Sequence, residues 1–171
     1  MDTLMLPPIN LEEKLKEFFG YNTFRIHQQD IIQEALNYKD VLAILPTGAG
    51  KSTCYKLPAI LMPGTAVVIS PLISLMQDQV AALKQLGVRA AFLNSTLDGR
   101  EANAVERALR GGDLDLLYVA PERLMMPRML ELLDASRIAL FAIHEAHCAP
   151  HCGHYLRPDD PQLSVRHDSF P

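Results

Sequence analysis

Ile44-Leu45-Pro46-Thr47-Gly48-Ala49-Gly50-Lys51-Ser52-Thr53 is a glycine-rich turn set between an apolar run and a helix-compatible segment. The run before it, Val41-Leu42-Ala43-Ile44-Leu45, reads as a buried strand. Strand, glycine loop and helix in that order are the context of a phosphate-binding loop. A chance glycine turn would not need that context. The glycines let successive backbone N–H groups face phosphate oxygens with no Cβ in the way. The helix that starts near Gly50 adds the positive end of its dipole. Thr47, Gly48, Ala49, Gly50 and Thr53 are thus expected to line the phosphates. Lys51 is expected to reach the β- and γ-phosphates, and the Ser52 hydroxyl to bind Mg²⁺. The position where the common motif carries its first glycine is Leu45 here.

The 171-residue chain is 49% apolar and 21% charged, as expected of one globular domain with a real core. No apolar run approaches the roughly 20 residues of a membrane span. The first residues, Met1-Asp2-Thr3-Leu4, show no secretory pattern. Three cysteines (Cys54, Cys148 and Cys152) do not make a disulfide scaffold. A cytoplasmic, or otherwise intracellular, setting is expected. With a net charge of −4, the whole chain is not drawn to nucleic acid, so any such contact must be local.

Residues 11–19 have helical spacing, with Asn10 as N-cap, Glu13 three residues on and Gly20 as the stop. Residues 28–38 read as a second helix with Ile31, Ile32, Ala35 and Leu36 on one face. Four more apolar runs, 66–69, 90–93, 114–119 and 138–143, alternate with helix-like segments near 71–86, 99–110 and 126–135. Continuous apolar strands alternating with helices predict a parallel sheet covered on both faces. From about residue 148 the chain is rich in His, Pro and Asp, and it reads as loop or disorder.

Six ordered segments together resemble the first motor domain of the RecQ-family DNA helicases, a superfamily-2 group. Pro46-Thr47-Gly48-x-Gly50-Lys51-Ser52 is similar to the helicase form of the phosphate loop. Gly20-Tyr21 with Phe24-Arg25-Ile26-His27-Gln28 resembles the adenine-reading segment, with His27 where the family has glycine. By this resemblance the Gln28 amide pairs with adenine, Tyr21 stacks on the ring and Arg25 meets phosphate or ribose. On their own these residues read equally as a helix N-terminus with surface polar groups. Ser70-Pro71-Leu72-Ile73-Ser74, Asn94-Ser95-Thr96 and Tyr118-Val119-Ala120-Pro121-Glu122-Arg123-Leu124 each follow a strand. They resemble the family's loops for the DNA backbone, which implies DNA contacts at Ser70, Pro71, Asn94, Ser95, Thr96 and Arg123. An ordinary capped helix and a solvated turn are the alternative readings of the first and last.

The fifth apolar run ends Ile143-His144-Glu145-Ala146-His147, where the family has Asp-Glu-Ala-His. The resemblance makes Glu145 the residue that activates the attacking water, catalytic together with Lys51. It also puts His144 at the place of the Asp that supports Mg²⁺. A neutral imidazole brings no negative charge to a hydrated cation, and a protonated one repels it. Residues 148–158 resemble the family's aromatic-rich loop and imply DNA contacts at His154 and Arg157. Cys152 and Leu156 stand where that loop has its Trp and Phe, so the stacking surface is lost. A competing reading takes His147, Cys148, His151, Cys152 and His154 as zinc ligands.

The resemblance implies a RecA-like, three-layer α/β/α phosphate-loop fold with a mainly parallel sheet. Residues 1–20 form a helical lead-in, 21–147 the ATP-binding domain and 148–171 a degenerate loop region. ATP and Mg²⁺ are the implied cofactors, single-stranded or forked DNA the implied partner, with no membrane. The family continues with a further strand and a second motor domain, both absent from this chain. That strand would lie between the phosphate-loop strand and the strand ending at His144. Its absence is expected to leave strand edges unpaired and the chain marginally stable. The implied activity is ATP hydrolysis coupled to 3′-to-5′ DNA unwinding, impaired in this chain. The alternatives are a non-catalytic nucleotide- or DNA-binding remnant and another superfamily-2 ATPase.

Overall fold

A computed structural model describes residues 9–41, 43 and 50–144. Helix α1 (Leu11–Phe19) begins as its sequence predicts: Asn10 Oδ1 accepts from the Glu13 backbone N–H at 3.2 Å, and Gly20 closes the helix at φ 75°. Helix α2 (Gln28–Leu36) follows, and α3 (Lys51–Leu61) starts directly after Gly50. Leu11, Leu15 and Ile32 pack on Leu57 and tie α1 and α2 to α3.

Four strands then alternate with helices in the predicted order. They are β1 (Thr65–Ile69), β2 (Ala90–Leu93), β3 (Leu116–Val119) and β4 (Ile138–Ile143). All pairings are parallel, and the order across the sheet is β2-β3-β1-β4. Helix α4 (Ile73–Gln85) links β1 to β2, and α5 (Gly99–Arg110) links β2 to β3. The return to β4 runs through α6 (Pro121–Leu124) and α7 (Pro127–Asp134). The α6 turn stands where a plain loop was expected; Pro121 at its first position pre-sets the helical φ.

Alternate side chains of the strands serve opposite faces. Val67, Ile69, Leu117 and Val119 pack with Ala102 and Leu109 of α5 and with Leu132 of α7. Ala66, Val68, Leu116 and Tyr118 pack with Tyr55 and Ala59 of α3 and with Met76 and Val80 of α4. Two separate apolar layers on one parallel sheet are the predicted three-layer α/β/α arrangement.

The expected first strand over 41–45 falls mostly outside the described residues. Val41 and Ala43 are exposed and belong to no strand. Among the described residues β4 pairs with β1 alone, and all six of its residues are only half-buried. None of the described helices is long and apolar enough to cross a membrane.

Candidate nucleotide and nucleic-acid site

Parallel strands deliver their following loops to one edge of the sheet, and helices α3, α4, α5 and α6 all start there. Helix α3 opens directly after Gly50. Gly50 holds φ 74° and ψ 39°, a left-handed conformation that turns the chain into the first helical residue, Lys51. Lys51 and Ser52 are half-buried at this N-terminus, and Thr53 faces the interior. Cys54 lies one turn in, where burial pushes its thiol up to about 11 and keeps it protonated.

Gln28 is buried and ties α2 to this turn. Its Nε2 donates to the Gly50 carbonyl at 3.0 Å, and its Oε1 accepts from the Arg25 backbone N–H at 2.8 Å. The side chain expected to read adenine therefore also ties α2 to the Gly50 turn. An added Cβ at Gly50 would meet Gln28 Nε2 and force that side chain to shift, and the left-handed φ itself favours glycine. Tyr21 and Arg25 are exposed beside it. His27, the N-cap of α2, holds φ 69°, a region L-residues avoid and glycine adopts freely. That geometry supplies a physical reason for a glycine at this position and marks His27 as strained.

The loops after β1 and β2 divide their residues between framework and surface. Ser70 is fully buried, and its Oγ accepts from the Leu72 N–H at 3.4 Å. Pro71 is half-buried, and Ser74 is exposed in the first turn of α4. Asn94 is fully buried: its Oδ1 accepts from the Thr96 N–H at 2.9 Å and the Thr96 hydroxyl at 2.5 Å, and its Nδ2 faces Met76 Sδ at 3.6 Å. Asn94 and Ser70 thus shape their loops through a local side-chain-to-backbone turn. Ser95 and Thr96 are the residues presented to solvent.

Arg123 is drawn sideways. Its guanidinium lies 3.5 Å from Glu106 Oε1, and Arg128 donates to Glu106 Oε2 at 2.6 Å from Nη2 and 3.1 Å from Nε. Glu106 itself is buried. Sequence reading passed over both Glu106 and Arg128. The signal was present: Glu106 falls on the apolar stripe of α5 with Ala102 and Leu109, where a charge needs a partner.

With these positions in view, residues 25–153 match the DEAD/DEAH box helicase family. The chain belongs to that family. It is 45% identical over 157 residues to the ATP-dependent DNA helicase RecQ of Haemophilus influenzae, covering 92% of this chain and 25% of that protein. It is 46% identical over 154 residues to the probable ATP-dependent DNA helicase RecS of Bacillus subtilis, covering 90% of this chain and 31% of that protein. The chain thus spans about a quarter to a third of the length of these relatives. Its fold is similar to the crystal structure of a hypothetical ATP-dependent RNA helicase from Sulfolobus tokodaii, with a TM-score of 0.62 at 20% identity over 84% of this chain and 43% of that one.

His144 follows β4 directly, and its N–H donates to the Ile69 carbonyl at 2.9 Å. Its ring meets Tyr55 edge-on at 5.9 Å between centroids, and Tyr55 shares a 2.9 Å hydroxyl contact with Tyr118. Burial pushes the Tyr55 phenol up to about 12, against the opposing Tyr118 hydrogen bond. These contacts link α3, β3 and the end of β4 in one chain of rings. Thr47, Gly48, Ala49, Glu145, His154 and Arg157 lie outside the described residues, as do His147, Cys148, His151 and Cys152 of the zinc reading.

Proposed function

We propose that this chain is the ATP-binding motor domain of a RecQ-like 3′-to-5′ DNA helicase, using ATP with Mg²⁺ and acting on DNA inside the cell. In the whole protein a second motor domain would complete the cleft. The observation that carries the reading is the Gln28–Gly50 link, which brings the adenine-reading segment onto the turn that opens α3.

The residues at this turn fit a nucleotide. A helix N-terminus, a left-handed glycine, and a lysine and hydroxyl as the first two helical residues suit a polyphosphate. Lys51 would hold the β- and γ-phosphates, and Ser52 would hold Mg²⁺, which supplies charge neutralisation on those oxygens. Gln28 and Tyr21 would orient the base, and Glu145 would activate water. The exposed Ser95, Thr96 and Ser74 would meet a DNA backbone at the sheet edge, with Ser70, Pro71 and Asn94 holding those loops in shape.

His144 favours a second reading, a nucleotide-binding domain with weak turnover. An imidazole packed against Tyr55 gives a hydrated cation no negative charge. ATP hydrolysis with and without single-stranded DNA, measured for the chain and for His144→Asp, separates the two. At least a tenfold gain in DNA-stimulated turnover by His144→Asp is expected. Equal rates would remove the metal-supporting role from this position, and no ATP binding by either protein would remove the motor reading.

A further inference from the structure

Half of the chain's arginines gather on one side of the molecule. Arg100, Arg107 and Arg110 of α5, together with Arg128 of α7, border an open groove of about 570 Å³. A second groove shares Asn103, Glu106 and Arg128 with the first and continues it past Gly99 to Arg123 and Met126. The combined channel therefore starts at the sheet edge, beside the Asn94–Thr96 loop and α6, and descends along α5. Within it Glu106 is already neutralised by Arg123 and Arg128. Arg100, Arg107 and Arg110 are exposed and carry no ion pair among the described residues. A chain of net charge −4 thus carries three exposed arginines along one helix, with Asp98 on the wall of the second groove and Glu101 in the first turn as the nearby acids.

We propose that this α5–α7 channel is a second phosphate-backbone track, which holds single-stranded DNA after it leaves the loops at the sheet edge. The inference rests on the DNA-binding reading above and assigns it an extra contact surface. One observation favours a nucleic-acid backbone over an acidic protein. The channel is continuous with the proposed DNA loops through Arg123. Its exposed cations are all arginines, whose planar forks match the paired oxygens of a phosphate as well as those of a carboxylate. From Arg100 to Arg110 the helix rises about 15 Å, long enough to face more than one phosphate of a single strand. Glu106 acts as a positioning residue, since it fixes the Arg128 guanidinium on the channel wall.

The test measures binding of a fluorescent 20-mer of oligo-dT across a salt series. It compares the unmodified chain, the triple variant Arg100→Ser, Arg107→Ser, Arg110→Ser, and the charge-matched control Lys16→Ser, Lys39→Ser, Lys84→Ser. All six side chains are exposed, so each variant should keep the fold, which circular dichroism checks. Each phosphate contact on a single strand adds about 0.7 to the slope of log K against log salt, so the triple variant should lose about 2 from that slope. It should also bind at least tenfold more weakly, while the control stays within about twofold of the unmodified chain. Equal affinity and slope in the triple variant, with binding by the unmodified chain intact, overturn this inference alone. No oligo-dT binding by the unmodified chain overturns the DNA reading and this track with it. Tighter binding of a poly-glutamate peptide than of oligo-dT, lost in the triple variant, reassigns the channel to an acidic protein partner.

Discussion

Strands β3 and β4 flank β1 on its two sides, and their sequences look alike: Leu-Leu-Tyr-Val against Ile-Ala-Leu-Phe-Ala-Ile. Every residue of β3 is buried, while every residue of β4 is half-exposed. The difference comes from neighbours, because β3 lies between β1 and β2, whereas β4 has only β1 among the described residues. An apolar run thus announces a strand but does not say how many partners it has. The same contrast separates the two ends of the site. Around Gly50 the buried contacts of Gln28 fix the backbone. At His144 the backbone N–H joins the ladder at Ile69 and the ring meets Tyr55.

The largest expected effect tests the strand contrast directly. Leu117→Ala in β3 empties a fully enclosed site and should cost about 4 kcal/mol, while Leu140→Ala in β4 should cost about 2 kcal/mol. Urea unfolding of both variants checks the ratio. Equal losses would mean that β4 is as enclosed as β3 in solution.

Gly50→Ala comes next. It forces a Cβ against Gln28 and into a left-handed φ, which costs about 1–2 kcal/mol by the backbone term alone. ATP affinity should fall together with stability. A stability loss with unchanged ATP affinity would detach the Gln28 link from the nucleotide site.

His27→Gly should act in the opposite direction, relieving about 1 kcal/mol of backbone strain at φ 69°. A lower melting temperature in that variant would contradict the strain. The smallest effect concerns Lys56, buried in α3 with Gln79 as its hydrogen-bond partner. Burial lowers its amine below the ordinary 10.5, so the unfolded chain binds this proton more tightly. Stability gains a component that rises with pH across the interval ending at 10.5, and Lys56→Met should flatten that rise. Identical pH profiles for the two proteins would show that Lys56 is solvated.

Most of the fold was legible because its signals are local. The doubly buried strands appear as continuous apolar runs, and the Asn10 cap with its Glu13 partner is written within four residues. The burial of Asn94 was not legible: a polar residue after a strand looks like a surface ligand, and only its bonds to Thr96 and Met76 show otherwise. The strain at His27 was half visible, since a histidine stands where the resembling helicases carry glycine, but the φ that explains it is a tertiary fact. The Glu106–Arg123 pair is far apart in sequence, and no spacing rule joins α5 to α6.

The central claim is that the turn at Gly50 and the start of α3 bind the phosphates of ATP. Equilibrium binding of a fluorescent ATP analogue with Mg²⁺, measured for the 171-residue chain and for Lys51→Ala, tests it most directly. A drop of at least tenfold in affinity for Lys51→Ala, with an unchanged unfolding transition, is the predicted result. Equal affinity in the two proteins would contradict the account.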